Sequence, residues 1–391
     1  MKFFILKFLV LAHLAGCAVS AQTVTPEIVA RGFQFVEGPL WSDSLGLLFS
    51  DINANTVYRW TPASGATIHL KPSGKSNGLA WDAQGRLLLA LQGDRKVVRQ
   101  ERDGALTVLA ERYEGKKLNS PNDMAVKSDG ALFFTDPPYG ISAAQQELGY
   151  CGIFRISITG SLYLLDKTLS RPNGIAFSPD ETLLYVADAE VRKIYVWDVV
   201  SDSLLANKRL FAAMSPSGYA DGMKVDAAGN LFATGPGGIW VYAPDGKLLQ
   251  KIAVPGQTTN CGWGDADRQT LYITSSGTVY KVRSPFAGVE VPAAVEAPGH
   301  SARPGGFQLF ANYPNPFNAT TTIRFSLPAP GRVSVRIFSL LGAETARLLG
   351  EERAAGPHEV IWDAEACSSG LYHITLVYGN QVQMGKALLI K

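Results

Sequence analysis

The sequence predicts an all-β chain: a six-bladed β-propeller followed by a small β-sandwich. Three observations support this. A segment of fixed pattern recurs six times between residues 25 and 283. Glycine is abundant, at 39 of 391 residues, and no long stretch keeps a helical period; both favour strands joined by tight turns. Residues 307–391 again alternate apolar with polar side chains, in TTIRFSL, RVSVRIFS, HEVIWDA and LYHITLVY.

The chain opens MKFFILKFLVLAHLAGCAVSAQ, with Lys2 and Lys7 ahead of an apolar run that ends in small residues. This pattern predicts a secretory signal over 1–21, cleaved after Ala21. Leu14-Ala15-Gly16-Cys17 also fits a bacterial lipobox, so a lipoprotein anchored through Cys17 is the alternative. No other segment is long and apolar enough for a transmembrane span. The net charge of +2 gives no basic field, so no nucleic-acid partner is expected.

The repeat begins EGPLWSDSLGLLFSD at Glu37, NGLAWDAQGRLLLA at Asn77 and NDMAVKSDGALFFTD at Asn122. It continues as NGIAFSPDETLLYVAD at Asn173, DGMKVDAAGNLFATG at Asp221 and NCGWGDADRQTLYIT at Asn260. The heads lie 39 to 51 residues apart, the period of propeller blades with four short strands each. In each copy a polar head precedes a strand of period 2, then a turn rich in Asp, Gly or Asn, then an apolar strand.

Innermost propeller strands line a central channel, so the six heads would bring two carboxylates and four amides to one mouth. Six oxygen-bearing side chains suit one hard divalent cation, Ca²⁺ first, with Zn²⁺, Mn²⁺ and Mg²⁺ also acceptable. Asn and Asp also cap turns, but a pure turn role would admit Gly or Ser at some heads. The five histidines are His13, His69, His300, His358 and His373, and only His69 falls among the repeats. This excludes a His-rich zinc site and gives a Ser-His-Asp triad poor support. The chemistry left is a cation that polarises a carbonyl and activates water, with a carboxylate taking the proton.

EGPLW, SPNDM, FTDPPYG, RPNGIAFSPD and YADGMKVD together resemble the gluconolactonase/regucalcin family of lactone hydrolases over residues 28–283. The resemblance implies a lactone substrate, such as gluconolactone, and one divalent cation held by Glu37, Asn173 and Asp221. It implies substrate contacts at Asn122 and places Asn260 near the ligand pocket. Asp221 is the first choice of catalytic base, and Asp136, in FTDPPYG, the second. Arg171, in RPN, could orient an oxyanion, and Tyr139 and Tyr219 could wall the pocket. Other lactones or esters are alternative substrates. A non-catalytic propeller binding glycans or protein is the alternative of a different class.

After Arg283 the chain becomes rich in Pro, Gly and Ala, and 284–306 is expected to be a linker. NYPNPFN and the ending GLYHITLVYGNQVQMGKALLIK resemble the C-terminal sorting domain of type IX secretion substrates over 307–391. This resemblance implies the type IX secretion machinery as a partner and a secreted or cell-surface location. Cys151, Cys261 and Cys367 remain beyond the signal; a Cys151–Cys261 disulfide and buried free thiols are both open.

Overall fold

The computed structural model describes residues 25–391 except 202–203, 215–218, 286, 290–306, 311, 313–314, 316, 340–342 and 380. The expected signal, Cys17 and most of the expected linker lie outside the described residues. Apart from one short 3₁₀ turn at Ala143–Gln145, the described elements are all strands.

Six four-stranded antiparallel sheets occupy residues 27–283. Their first strands are Val36–Ser42, Ser76–Trp81, Met124–Val126, Pro172–Phe177, Met223–Val225 and Thr258–Gly264. Each packs beside the next, and Thr258–Gly264 returns to Val36–Ser42, so the sheets close into a ring. The last sheet takes its outermost strand, Glu27–Arg31, from the start of the chain, which pairs with Thr278–Arg283. This pairing joins the two ends of the ring by backbone hydrogen bonds and removes a free edge.

Burial falls from the axis outward. LLLAL (Leu87–Leu91), LFFTD (Leu132–Asp136) and LFATG (Leu231–Gly235), all second strands, are buried at every position. Their near-continuous apolar runs suit strands covered on both faces. Fourth strands such as Leu248–Ala253 are mostly exposed and carry polar residues. The core lies between sheets rather than within them. Leu48 and Val57 of the first sheet pack with Leu79, Leu89 and Val98 of the second. Phe133 and Ile153 of the third pack with Ile175, Leu184 and Trp197 of the fourth. Each such aliphatic side chain contributes roughly 1.5–3 kcal/mol by leaving water.

The turn signals act as expected. Asp82 Oδ1 accepts the N–H groups of Gln84 and Arg86, and Asp226 Oδ1 those of Ala228 and Asn230. Asp129, Asp180 and Asp267 do the same for Ala131, Thr182 and Gln269. These bonds fix the hairpin between the two inner strands of five sheets, and in the first sheet Ser42 Oγ accepts the Leu45 N–H instead.

The described part of the expected linker is not free of the ring. Ala227 N–H donates to Ala287 O and Gly288 N–H to Arg268 O, and Val289 packs against a propeller core cluster. Beyond it, a three-stranded sheet (Gln308–Leu309, Thr320–Leu327, Gly356–Asp363) faces a four-stranded one (Gly331–Ser339, Glu344–Arg353, Gly370–Tyr378, Gln381–Leu389). Ile323, Phe325 and Trp362 from the first share a core with Val335, Ile374 and Leu376 from the second, so this region is a β-sandwich. Among the described residues the cysteines are free: Cys151 Sγ bonds Ser170 O and Cys261 Sγ bonds Phe232 O, so the disulfide alternative is set aside.

Candidate active site

The heads reach the axis because the inner strands approach one another more closely than a side chain permits. A Cβ on Gly38 would collide with the carbonyl of Asn77, and one on Gly174 with the carbonyl of Asp221. Glycine after the head therefore lets Glu37 lie against Asn77, and Asn173 against Asp221. Threonine hydroxyls fasten the ring: Thr135 Oγ1 donates to Asn173 O at 2.7 Å and Thr259 Oγ1 to Val36 O at 2.7 Å.

Five heads line one cavity of about 410 Å³: Glu37, Asn77, Asn122, Asn173 and Asp221. Arg171, Tyr139, Tyr219, Phe35, Ile52, Gln92 and Gln257 complete most of its wall. Phe35, Arg171 and Tyr219 each stand two residues before a head, so this position walls the cavity in three sheets. Arg171 sits at the rim, with its guanidinium over the Tyr139 ring and an Nη1 bond to Glu190 at 3.3 Å.

The electrostatics of the mouth are unfavourable to its carboxylates as they stand. Burial, then the Asp123 charge, push Asp221 up to about 8, against the pull of Asn173 and the Gly222 N–H. Burial raises Glu37 well above the carboxylate range, and Asp221 and Asp123 add to it. Asp221 Oδ1 is buried with no hydrogen-bond partner. Buried, mutually repelling carboxylates with an unsatisfied oxygen are what a bound cation would relieve. Among the described residues no group of three or more His, Cys, Asp or Glu side chains is arranged to hold a metal. A cation here would therefore need the Asn173 amide and water beside the two carboxylates. That mixed oxygen set fits a hard divalent ion.

Two of the expected site residues do not line the cavity. Asn260 lies just behind its wall, with a side-chain hydrogen bond to Glu37; its Nδ2 donates to Asp123 Oδ2 at 3.3 Å and its Oδ1 accepts the Cys261 N–H. Asp123, behind the mouth, also has Lys224 Nζ at 4.0 Å. Asp136 ends the second strand of its sheet, and its Oδ2 accepts the Asn119 N–H at 2.7 Å. Asp51 takes the N–H groups of Gln34 and Phe35, and Asp188 those of Ser170 and Arg171. All three thus clamp the backbone two or three residues before a head. Burial pushes Asp136 up to about 7, while the Asn119 and Ser120 N–H groups and Arg95 pull it down. Its Oδ1 has no hydrogen-bond partner, but Asp136 is not among the residues that line the cavity.

Sequence reasoning named Asn77 as a head without giving it a role, and it missed Gln92, Gln257, Phe35 and Ile52. One signal was available. Ile52 and Gln92 each directly follow the second strand of their sheet, so register alone would have placed them together.

A closed ring of four-stranded sheets with oxygen-bearing side chains around one axial cavity defines a β-propeller built to hold a small polar ligand. The chain belongs to the SMP-30/gluconolactonase/LRE-like family, whose pattern matches residues 35–277. A second match, to the secretion system C-terminal sorting domain, covers residues 311–391. The chain is 39% identical over 292 residues to a gluconolactonase of Zymomonas mobilis, covering 67% of this chain and 82% of that protein. A solved gluconolactonase from Xanthomonas campestris shares 35% identity with a TM-score of 0.62, covering 66% of this chain and 88% of that one. A calcium-binding regucalcin from Agrobacterium tumefaciens shares the fold at 23% identity and a TM-score of 0.59, covering 68% and 96%.

Proposed function

We propose that the protein is an exported, divalent-metal-dependent lactone hydrolase acting on a sugar lactone such as gluconolactone. The observation that carries this reading is the meeting of Glu37, Asn173 and Asp221 at one cavity, with Asp221 Oδ1 unpartnered. These three residues would hold the cation, Ca²⁺ first. When bound, such an ion supplies Lewis acidity toward a carbonyl oxygen and toward water.

The chain's own residues do the rest. Asp221, in the cavity wall, is the first choice of proton acceptor. Asn122 and Arg171 orient the ring from neighbouring sheets, with Arg171 steadied by Tyr139 and Glu190. Asp136 is left out of the chemistry because it does not line the cavity and its Oδ2 holds the segment before Asn122. The sorting-domain match supports delivery through type IX secretion to the surface or medium. Among the described residues no helix is long and apolar enough to cross a membrane. The apolar wall of Phe35 and Ile52 supports the second reading, a less hydroxylated lactone or ester on the same site.

The test is proton release from glucono-δ-lactone by the purified protein, after subtracting spontaneous hydrolysis, with EDTA and then with each divalent cation restored. Turnover that EDTA abolishes and one cation restores supports the proposal. Turnover indifferent to EDTA removes the metal from it.

A further inference from the structure

The mouth holds a second orphaned atom that the proposed chemistry does not use. Asn77 is 3% exposed and lines the cavity, yet its Oδ1 has no hydrogen-bond partner. Its Nδ2 donates to Gln92 Oε1 at 3.1 Å, and Gln92 lines the same cavity. If both amides are turned over, the pair still bonds and one Asn77 polar atom is still left over. A buried amide oxygen without a donor loses stability unless something supplies one. The nearest backbone donors on the ring are taken: the Gly38 N–H by Glu37 Oε2 and the Gly78 N–H by Asn122 O.

We propose that Asn77, held in place by Gln92, is a hydroxyl-recognising subsite for a polyhydroxylated lactone. Asn77 sits in the second sheet, next to Glu37 on one side and Asn122 on the other. A ring whose carbonyl faces Glu37, Asn173 and Asp221 would turn a hydroxyl toward Asn77. The hydroxyl donates to Oδ1, and Gln92 acts as a positioning residue by fixing the amide plane. The inference rests on the lactonase reading and selects between its two substrate classes, because an unsubstituted lactone leaves Asn77 Oδ1 buried and unmet.

The experiment compares glucono-δ-lactone with δ-valerolactone, which carries no hydroxyl, on the wild-type protein, Asn77→Ala and Gln92→Leu, with thermal melting of each. Asn77→Ala should raise KM for gluconolactone about tenfold, the scale of one buried hydrogen bond, with kcat nearly unchanged. Its kcat/KM for δ-valerolactone should stay at the wild-type value. Gln92→Leu should shift the gluconolactone KM the same way, by less. Equal losses on both lactones, or no loss on gluconolactone, would overturn the subsite while leaving the lactonase reading intact. Wild-type protein that hydrolyses neither lactone would sink that reading instead. Glucitol binding, followed by saturation-transfer NMR, then decides the subsite by itself: weakened binding in Asn77→Ala supports it, and equal binding in both proteins overturns it.

Discussion

Asp221 and Asp136 make an instructive pair. Both are buried, both end up with raised proton affinity, and both stand within the inner two strands' reach of the axis. Around Asp136 the backbone answers the charge: the Asn119 N–H meets one oxygen, and Arg95 adds attraction. Around Asp221 the neighbours worsen it, since Asp123 repels it; each of the two carboxylates keeps one oxygen without a hydrogen-bond partner, so that feature does not separate them. A buried carboxylate with its own donors is structural. One surrounded by others of its kind and facing a cavity waits for a ligand. Proton affinity alone would not have separated the two; their partners do.

The largest effect that could break this contrast is on turnover. Asp221→Ala should lower kcat/KM for the lactone by about a hundred- to a thousandfold, the scale of losing one charge-stabilising group. Asp136→Asn should lower it less than tenfold. Comparable losses in both would mean that Asp136 belongs to the chemistry after all.

Stability should invert that order. Asp136→Ala strands the buried Asn119 N–H and should cost about 2–3 kcal/mol, a drop of about 5–10 °C in the melting temperature. In metal-free protein above pH 8, where Asp221 is charged, Asp221→Asn should instead raise the melting temperature, because it deletes a repelled charge.

The pH response sharpens the comparison further. In the fold Asp221 keeps its proton up to about pH 8, whereas an unfolded aspartate releases it near pH 4. Between those values the folded state binds more protons, so metal-free stability must fall as pH rises and level off above about 8. Asp136 acts with the same sign, ending near 7. Melting curves from pH 5 to 9 should show this decline, and a bound divalent cation should flatten it. In Asp221→Asn the decline should be shallower, with Glu37 and Asp136 supplying what remains. The smallest effect belongs to the rim: Arg171→Ala should raise KM only about threefold, since its guanidinium is partly solvated.

Much of this was legible in the sequence. Period-2 alternation, Asx turns and a polar head in every repeat all reflect local rules, and the strands and five cavity heads follow from them. What stayed hidden depends on contacts between distant repeats. Asn260 carries the same head as Asn122, but its amide is taken up by Asp123, 137 residues earlier, and by Glu37, so it lies behind the cavity wall rather than in it. The role of Asp136 appears only beside Asp51 and Asp188, which share its position but not its neighbouring motif. The outermost strand of the last sheet, EIVAR, precedes the first repeat and carries no repeat signature, so the closure it makes could not be read locally. The disulfide alternative rested on cysteine count, and the two thiols instead bond separate carbonyls.

The central claim is that Glu37, Asn173 and Asp221, and not Asp136, hold a divalent cation. Calorimetric titration of Ca²⁺ into metal-free wild-type protein, Glu37→Ala, Asp221→Ala and Asp136→Asn tests it most directly. One ion per chain in the wild type and in Asp136→Asn, with binding lost in the other two, is the predicted result. Binding that survives Glu37→Ala and Asp221→Ala, in protein that melts as a folded chain, would contradict it.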